Sequence, residues 1–388
     1  MPSRERRALK TINAKATNIP DEMILGALPA PYQGLHHPPS ILPTAITTTK
    51  SSKTIEIVTI PDAIDVTKNR KSIGIGLDEN LILRILSSRY ESVVITCINT
   101  LADLIKLATR KPDLVFSGVK YFNFSGTDLW LNDFLDRHGI AYMASNRKAL
   151  DRESDKSRAK NIMRDSGVAT ARHFITAPDT HPTAGSVPLE YPLFVKPLTG
   201  GDSRGIDANS IVYDFESFRS KVMDIHQSQA LPCLVETYLS GREFSVGIFE
   251  DNASQKLTAM PIEIIVDENK NGDRILDFDI KKFDRETVTA VTDILVHKQL
   301  SDLAKAAFKA LGGKSFGRID VKMDANQVPH FIEANLMPGL RKGYFYRACL
   351  LNLEMDYEQM ILRIADNGLT HNSDKTRHHP VATLELTP

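Results

Sequence analysis

The stretch from Ser315 to Leu340 alternates apolar and polar residues on both sides of one turn signal, and this period-2 pattern restricts it to a β-hairpin. Successive side chains of a strand point to opposite faces, so Arg318 and Asp320 share one face while Ile319 and Val321 take the other. Glu333 and Asn335 likewise share a face, with Ile332 and Ala334 behind them. Asp324-Ala325-Asn326-Gln327 reads as the turn, and Pro329 opens the return strand. A turn centred between Asn326 and Gln327 sets Asp320 opposite Glu333. Two carboxylates and an amide oxygen then meet beside an arginine. Like charges directly opposite each other repel unless a cation lies between them. An oxygen-only donor set suits magnesium, which usually keeps substrate phosphates among its ligands. The same pattern also fits the solvent face of an ordinary antiparallel hairpin.

The chain is long enough, at 388 residues with 42% hydrophobic, for two or three domains with sizeable cores. Its 48 basic and 48 acidic residues balance, with no sustained basic face, so nucleic acid is not an expected partner. No apolar run reaches bilayer-spanning length, so no membrane association is expected. Cys97, Cys233 and Cys349 are few and widely spaced, which fits a reducing compartment and a cytoplasmic location and excludes a zinc knuckle. His36-His37 and His378-His379 lie in poorly patterned stretches and read as solvated residues.

Residues 1–53 combine an arginine-rich start with scattered prolines and a threonine-rich run, and read as a disordered extension. From Ile55 the pattern alternates: Ile55–Ile60, Val93–Ile98 and Leu114–Ser117 as strands, Leu77–Ser88, Leu101–Thr109 and Thr127–His138 as helices. Alternation of this kind predicts an open, mostly parallel sheet over residues 54–147. A charged helix is expected from Asn146 to Ser166. Strands at Arg172–Ile175, Leu193–Lys196, Leu234–Tyr238, Glu243–Phe249 and Thr258–Val266, with helices at Phe215–His226 and Leu300–Leu311, predict antiparallel sheets covered by helices. These divide into subdomains at 148–235 and 236–370, followed by a flexible tail at 371–388. Residues 267–290 are polar around Asn271-Gly272 and read as a long mobile loop.

Two further segments carry chemistry. An apolar strand at Tyr191–Lys196 runs into Pro197 and a loop containing Gly200, Gly201, Ser203 and Gly205. Glycines let the backbone approach a ligand, so its N–H groups are able to cradle phosphate oxygens beside the point charge of Lys196. A hairpin turn with a solubilising lysine fits the same residues. The second segment runs from Leu234 to Phe244, where Glu236 and Glu243 flank a short connection; backbone groups for a base and a carboxylate for a ribose fit here, as does a solvated strand connection.

In this order and spacing the three segments resemble the ATP-grasp superfamily, and within it the D-alanine–D-alanine ligases, from about residue 112 to 365. The resemblance implies an α/β and α+β architecture in which an open parallel domain precedes two antiparallel-sheet subdomains that sandwich ATP. It implies that Lys156 and Lys196 contact the ATP phosphates with the loop of Gly201 and Ser203. Glu236 and the backbone of Leu239 would meet the adenine, and Glu243 the ribose. Asp320, Glu333 and Asn335 would hold two magnesium ions, with manganese as the substitute. Arg318 and the Gly339 N–H would stabilise the transition state, and Lys281 would reach the transferred phosphate. The implied reaction activates a carboxylate as an acyl phosphate, which an amine then attacks to give an amide. Its partners would be a small acid and an amine, and dimers are common among such ligases. The expected activity is therefore that of a carboxylate–amine ligase. Its alternatives are D-alanine–D-alanine ligase itself and a nucleotide-binding regulator without catalysis.

Substrate-facing positions depart from these ligases. Asp202 stands where the glycine-rich loop usually carries a serine, and Lys282 replaces the tyrosine that bonds to it, so an Asp202–Lys282 ion pair is a candidate latch for a lid formed by 267–290. The serine-containing acceptor segment becomes Leu340–Arg347, which places Tyr344 toward the substrate or, equally, Tyr344, Phe345 and Tyr346 in a core.

Overall fold

The computed structural model describes residues 49–61, 72–201, 203–251 and 254–371; of the extension expected over 1–53, residues up to 48 lie outside the described residues while 51–53 belong to a strand, and the tail from 372 also lies outside them. The first layer contains β1 (Ser51–Thr59), β2 (Ser72–Gly74), α1 (Glu79–Arg89), β3 (Tyr90–Cys97), α2 (Leu101–Arg110) and β4 (Leu114–Ser117). It continues with β5 (Val119–Phe124), β6 (Thr127–Trp130), α3 (Leu131–Arg137) and β7 (Ala141–Tyr142). Strands β3-β1-β4-β7 form the expected parallel sheet. All four residues of β4 are buried, as a parallel strand covered on both faces requires. Helix starts follow the capping chemistry: Asp78 accepts from the Leu81 N–H, and Thr100 and Asp103 cap α2 reciprocally.

Thr127–His138, expected as one helix, is a strand followed by a helix. Ser125 and Gly126 both take positive φ (52° and 83°), which makes a two-residue hairpin turn and pairs Tyr121 with Trp130 and Phe122 with Leu129. Strand β2 joins this hairpin as a small antiparallel sheet.

The charged helix expected over 146–166 is two helices, α4 (Arg147–Ser154) and α5 (Lys156–Asp165). Asp155 leaves helical geometry (φ −105°, ψ 108°) and its carboxylate accepts the Arg158 N–H, restarting the chain as α5. Next come β8 (His173–Thr176), β9 (Leu193–Pro197), β10 (Ile211–Val212), α6 (Phe215–Gln229) and β11 (Cys233–Thr237). Their strands form an antiparallel sheet ordered β10-β9-β11-β8. Phe218, Val222 and Ile225 of α6 pack on Leu193, Val195 and Val235.

The last layer holds β12 (Glu243–Asp251), β13 (Lys256–Ile265), α7 (Phe278–Lys282), β14 (Thr287–Ala290), α8 (Ile294–Leu311), β15 (Phe316–Met323), β16 (Pro329–Asn335), α9 (Tyr344–Leu353) and α10 (Tyr357–His371). Its antiparallel sheet runs β14-β13-β12-β15-β16. The segment 267–290 is thus not structureless: it contributes α7 and the edge strand β14, and Ile275 and Leu276 are buried. Helix α8 covers the back of the sheet, where Phe308 fills the space beside Gly313 and Gly317. Helix α9 covers half of the front, with Phe345 against Phe249 and Phe316 (ring centroids 5.2 and 5.4 Å apart). The uncovered half of the front face, at the Glu243 ends of the strands, is left for the site.

Phe308 is fully buried, and Phe308→Ala removes its contacts and leaves a cavity behind the hairpin. A loss of about 3–5 kcal/mol in unfolding free energy is expected from chemical denaturation.

Candidate active site

Asp320 pairs with Glu333, as the hairpin pattern predicts, but the register is reached by a different route. The turn is centred on Asn326, not between Asn326 and Gln327: the Asp324 N–H donates to the Val328 carbonyl, and Val321 pairs with Phe331. Three features hold that tight turn. The Asp324 carboxylate accepts the N–H groups of Asn326 and Val328 (both 2.9 Å), and Gln327 adopts φ 62°. That register alone would set Asp320 against Ile332. A β-bulge between Asp320/Val321 and their partners adds Ile332 as an extra residue and restores Asp320 opposite Glu333. The bulge also corrects the reading of Ile332, which lines the cleft together with Glu333 instead of lying behind it.

Around Asp320 the geometry is tightly specified. Arg318, two residues along the same strand, donates to both carboxylate oxygens (Nε–Oδ1 2.9 Å, Nη2–Oδ2 2.8 Å). The buried Ser245 hydroxyl, directly across on β12, donates to Oδ1 at 2.6 Å, and the Asn335 amide lies 3.5 Å from Oδ2. The Glu333 carboxylate makes no hydrogen bond or ion pair with another described residue and faces both the cleft and an adjoining recess.

That cleft encloses about 770 Å³ including its mouth, between β9 and β11 on one side and β12, β15 and β16 on the other. Apolar walls come from Phe194, Ile206, Leu239, Ile264, Ile275, Leu276 and Ile332. Its polar lining includes Lys196, Ser203, Glu236, Glu243, Lys281, Asp320, Lys322, Glu333 and Tyr344. The recess, about 290 Å³, is bounded by Lys156, Lys196, Glu333 and the loop of Thr199, Gly200, Gly201 and Ser203. Lys156 reaches across the recess to the Gly200 carbonyl. Its ammonium pKa is lowered first by burial and further by the neighbouring Lys196 and Lys281, while Glu333 acts in the opposite direction.

Glu236 is held between two lysines, with Lys160 Nζ 2.6 Å from Oε1 and Lys196 Nζ 2.9 Å from Oε2. Burial by itself pushes this carboxyl up, but the two ammonium groups outweigh it and hold the pKa down at about 2. Glu243 pairs with Lys322 at 3.0 Å, and Lys322 also donates to the Arg274 carbonyl. Gly241, in the connection between β11 and β12, lies against the hairpin end: a Cβ there would come within 2.7 Å of the Met323 and Asp324 carbonyls.

The segment 267–290 docks over the cleft on both sheets. Ser203 Oγ donates to the Leu276 carbonyl, Tyr213 donates to Asp273, and Lys281 of α7 faces inward. Beyond α7, Tyr344 donates to Glu286 at 2.7 Å and Arg347 pairs with Asp284 at 2.5 Å, tying α9 to the same segment. Arg318 stacks 5.5 Å from the Tyr344 ring centroid. Burial first, then Glu286, raises the Tyr344 phenol, so it remains a donor. Phe345 is core, and Tyr344 lines the cleft.

The structure brings eleven of the sixteen sequence-predicted residues to the walls of the cleft and recess: Lys156, Lys196, Gly201, Ser203, Glu236, Leu239, Glu243, Lys281, Asp320, Glu333 and Tyr344. Arg318 and Asn335 support Asp320, and Gly339 lies exposed in the turn after β16. Lys282 points outward over Phe278 and Phe283, and Asp202 lies outside the described residues. Four participants escaped the sequence reading. Ser245, Lys322 and Lys160 approach only through sheet pairing or helix packing. Glu153 on α4 pairs with Lys120 of β5 and accepts the N–H of Leu336, the residue after Asn335.

Because Glu236 is depressed on folding, it stabilises the native state above its ordinary pKa of 4.5, and that contribution is lost as pH falls toward about 2. Glu236→Gln should therefore flatten the fall in unfolding free energy between about pH 5 and pH 3, measured by denaturant titration at each pH. An unaltered acid limb would show that the carboxyl is not held by its lysines.

A family model described as D-ala D-ala ligase C-terminus matches residues 168–366, more than half of the chain. The D-alanine–D-alanine ligase of Pseudomonas fluorescens is 27% identical over 267 residues, covering 68% of this chain and 78% of that protein. The Bacillus anthracis enzyme of the same name is 26% identical over 278 residues, covering 71% and 85%. Among solved structures, the Bacillus anthracis D-alanine–D-alanine ligase complexed with ATP superposes with a TM-score of 0.63 at 18% identity, covering 84% of this chain and 100% of that one. The VanG D-Ala:D-Ser ligase of Enterococcus faecalis gives 0.58 at 16% identity, covering 82% and 100%. The chain belongs to the D-alanine–D-alanine ligase family and is an ATP-dependent, C–N bond-forming ligase with the ATP-grasp fold.

Proposed function

We propose that this protein is a magnesium- and ATP-dependent carboxylate–amine ligase that joins an amino acid or related small acid to an amine, releasing ADP and phosphate. The observation that carries this reading is the pairing of Asp320 with Glu333 at the edge of a recess lined by Lys156 and Lys196. Asp320, Glu333 and the Asn335 amide oxygen form a hard, oxygen-only donor set, and the Glu333 carboxylate has no hydrogen-bonding or ion-pair partner of its own among the described residues. These residues fit magnesium. When bound there, the metal would neutralise charge on the ATP phosphates.

The protein's own groups do the rest by position and charge. Lys156, Lys196 and the loop of Gly201 and Ser203 hold the phosphates, Glu236 and the Leu239 backbone meet the adenine, and Glu243 meets the ribose. Lys281 approaches the transferred phosphoryl group from the covering segment. A carboxylate is a poor electrophile; its phosphorylation gives an acyl phosphate, and amine attack then expels phosphate as the amide forms. Arg318 and the Gly339 N–H stabilise the negative charge that develops on the acyl oxygen; losing one such donor typically costs ~3 kcal/mol. The segment 267–290 excludes water from the acyl phosphate. Asp202 and Lys282 remain candidates for the latch of that segment. Mg-ATP together with substrates should lower protease cleavage within 267–290, and unchanged cleavage would sink the lid.

D-alanine–D-alanine ligase activity is the narrower reading, favoured by the relatives that carry that name. Tyr344 and Arg347, in the segment after Gly339 and both directed at Glu286 of the covering segment, favour a different or larger acceptor. Incubation with Mg-ATP, D-alanine and pooled amino acids, small acids and amines should yield ADP, phosphate and a condensation product by mass spectrometry. D-alanyl-D-alanine as sole product would select the narrower reading. Nucleotide binding with no turnover on any pair would favour the regulator. Glu333→Gln should lower phosphate release by about 100-fold or more with an unchanged circular dichroism spectrum; full activity would remove the metal assignment.

A further inference from the structure

Lys160 is 1% exposed, on α5 behind Glu236, and lines neither the cleft nor the recess. A lysine so deeply buried is costly, and burial pulls its ammonium pKa down while Glu236 opposes that pull. Three oxygens surround its ammonium. Nζ lies 2.6 Å from Glu236 Oε1, 2.9 Å from Thr170 Oγ1 and 3.3 Å from the Phe331 carbonyl. Thr170 also donates to that carbonyl at 2.9 Å. Glu236 spends its other oxygen on Lys196, 2.9 Å away, and only Lys196 of the two lysines opens onto cleft and recess.

One carboxylate between two ammonium groups leaves a net charge of one positive unit. Remove Lys160, and Lys196 and Glu236 form a neutral pair beside the recess. Charges within a few ångströms in a poorly hydrated wall interact strongly, so a neutral pair and a cation differ greatly in their attraction for phosphate. We propose that Lys160 is a positioning residue that occupies Glu236, so that the Lys196 ammonium keeps a net positive charge for the nucleotide's phosphates. The anchorage on Phe331, two residues before Glu333, also ties this charge balance to the strand that carries the carboxylate pair. The inference rests on the nucleotide reading of the cleft and adds a residue that touches no ligand.

The test compares Mg-ATP and adenosine affinities by calorimetry, since only ATP carries phosphates. Relative to wild type, Lys160→Met should weaken Mg-ATP by about tenfold or more and adenosine by less than about twofold. Lys160→Arg should stay within about threefold for both. The double variant Lys160→Met/Glu236→Gln again leaves one positive charge, so its ATP-to-adenosine preference should return to about the wild-type value. Equal losses for ATP and adenosine in Lys160→Met, or a double variant as poor in preference as the single one, would overturn the inference. Should Lys160→Met not fold, the same change in the Glu236→Gln background, where no buried carboxylate is left unpaired, must lower the preference by about tenfold. An unchanged preference there overturns the inference equally. Absence of Mg-ATP binding by the wild type would instead overturn the nucleotide reading beneath it.

Discussion

The register between β15 and β16 is the constraint on which the site depends. A strand's side chains alternate with period 2, so a slip of one residue would turn Glu333 and Asn335 away from Asp320. Two local devices set this register. The Asp324 turn draws the strands together around Asn326, and the bulge at Ile332 then adds one residue. Together they leave Asp320 opposite Glu333 while aiming Ile332 into the cleft. The sheet then fastens the result: Ser245 arrives from β12 and Arg318 from β15, and both hold Asp320 Oδ1.

Charge in the site is organised around buried carboxylates that are each paired. Glu236 takes Lys160 and Lys196, Glu153 takes Lys120 and the Leu336 N–H, and Glu286 takes Tyr344 with Arg347 nearby. A buried charge without a partner would be costly, and these pairings also join elements that are distant in sequence. Glu153 links the strand β5 to the end of β16, and Arg347 and Tyr344 link α9 to the segment that covers the cleft. Glu333 is different in that it has no such partner among the described residues, which is why it suits a ligand that arrives with positive charge.

Much of this was legible in the sequence where the signal is local. Leu114–Ser117 reads as a strand, and the structure makes it one, with all four residues buried. The alternation around Arg318, Asp320, Glu333 and Asn335 is likewise local, so their common face follows from period alone. Misreadings arose where one or two residues override a longer pattern. Ser125-Gly126 supports a two-residue hairpin inside an apparent helix, and Asp155 caps a new helix inside a charged run. The segment 267–290 looked like a loop because its apolar residues are few, yet Ile275 and Leu276 are enough to anchor it once a cleft exists to receive them.

By itself the sequence determined the parallel and antiparallel layers and which residue types share a strand face. These follow from periodicity, capping and turn chemistry, which act within a few residues. Only the tertiary structure decided that Ile332 faces the cleft, that Ser245 clamps Asp320, and that Lys160 stands behind Glu236. The bulge at Ile332 breaks strict alternation, and the other two contacts join residues about 75 positions apart, which no local pattern encodes.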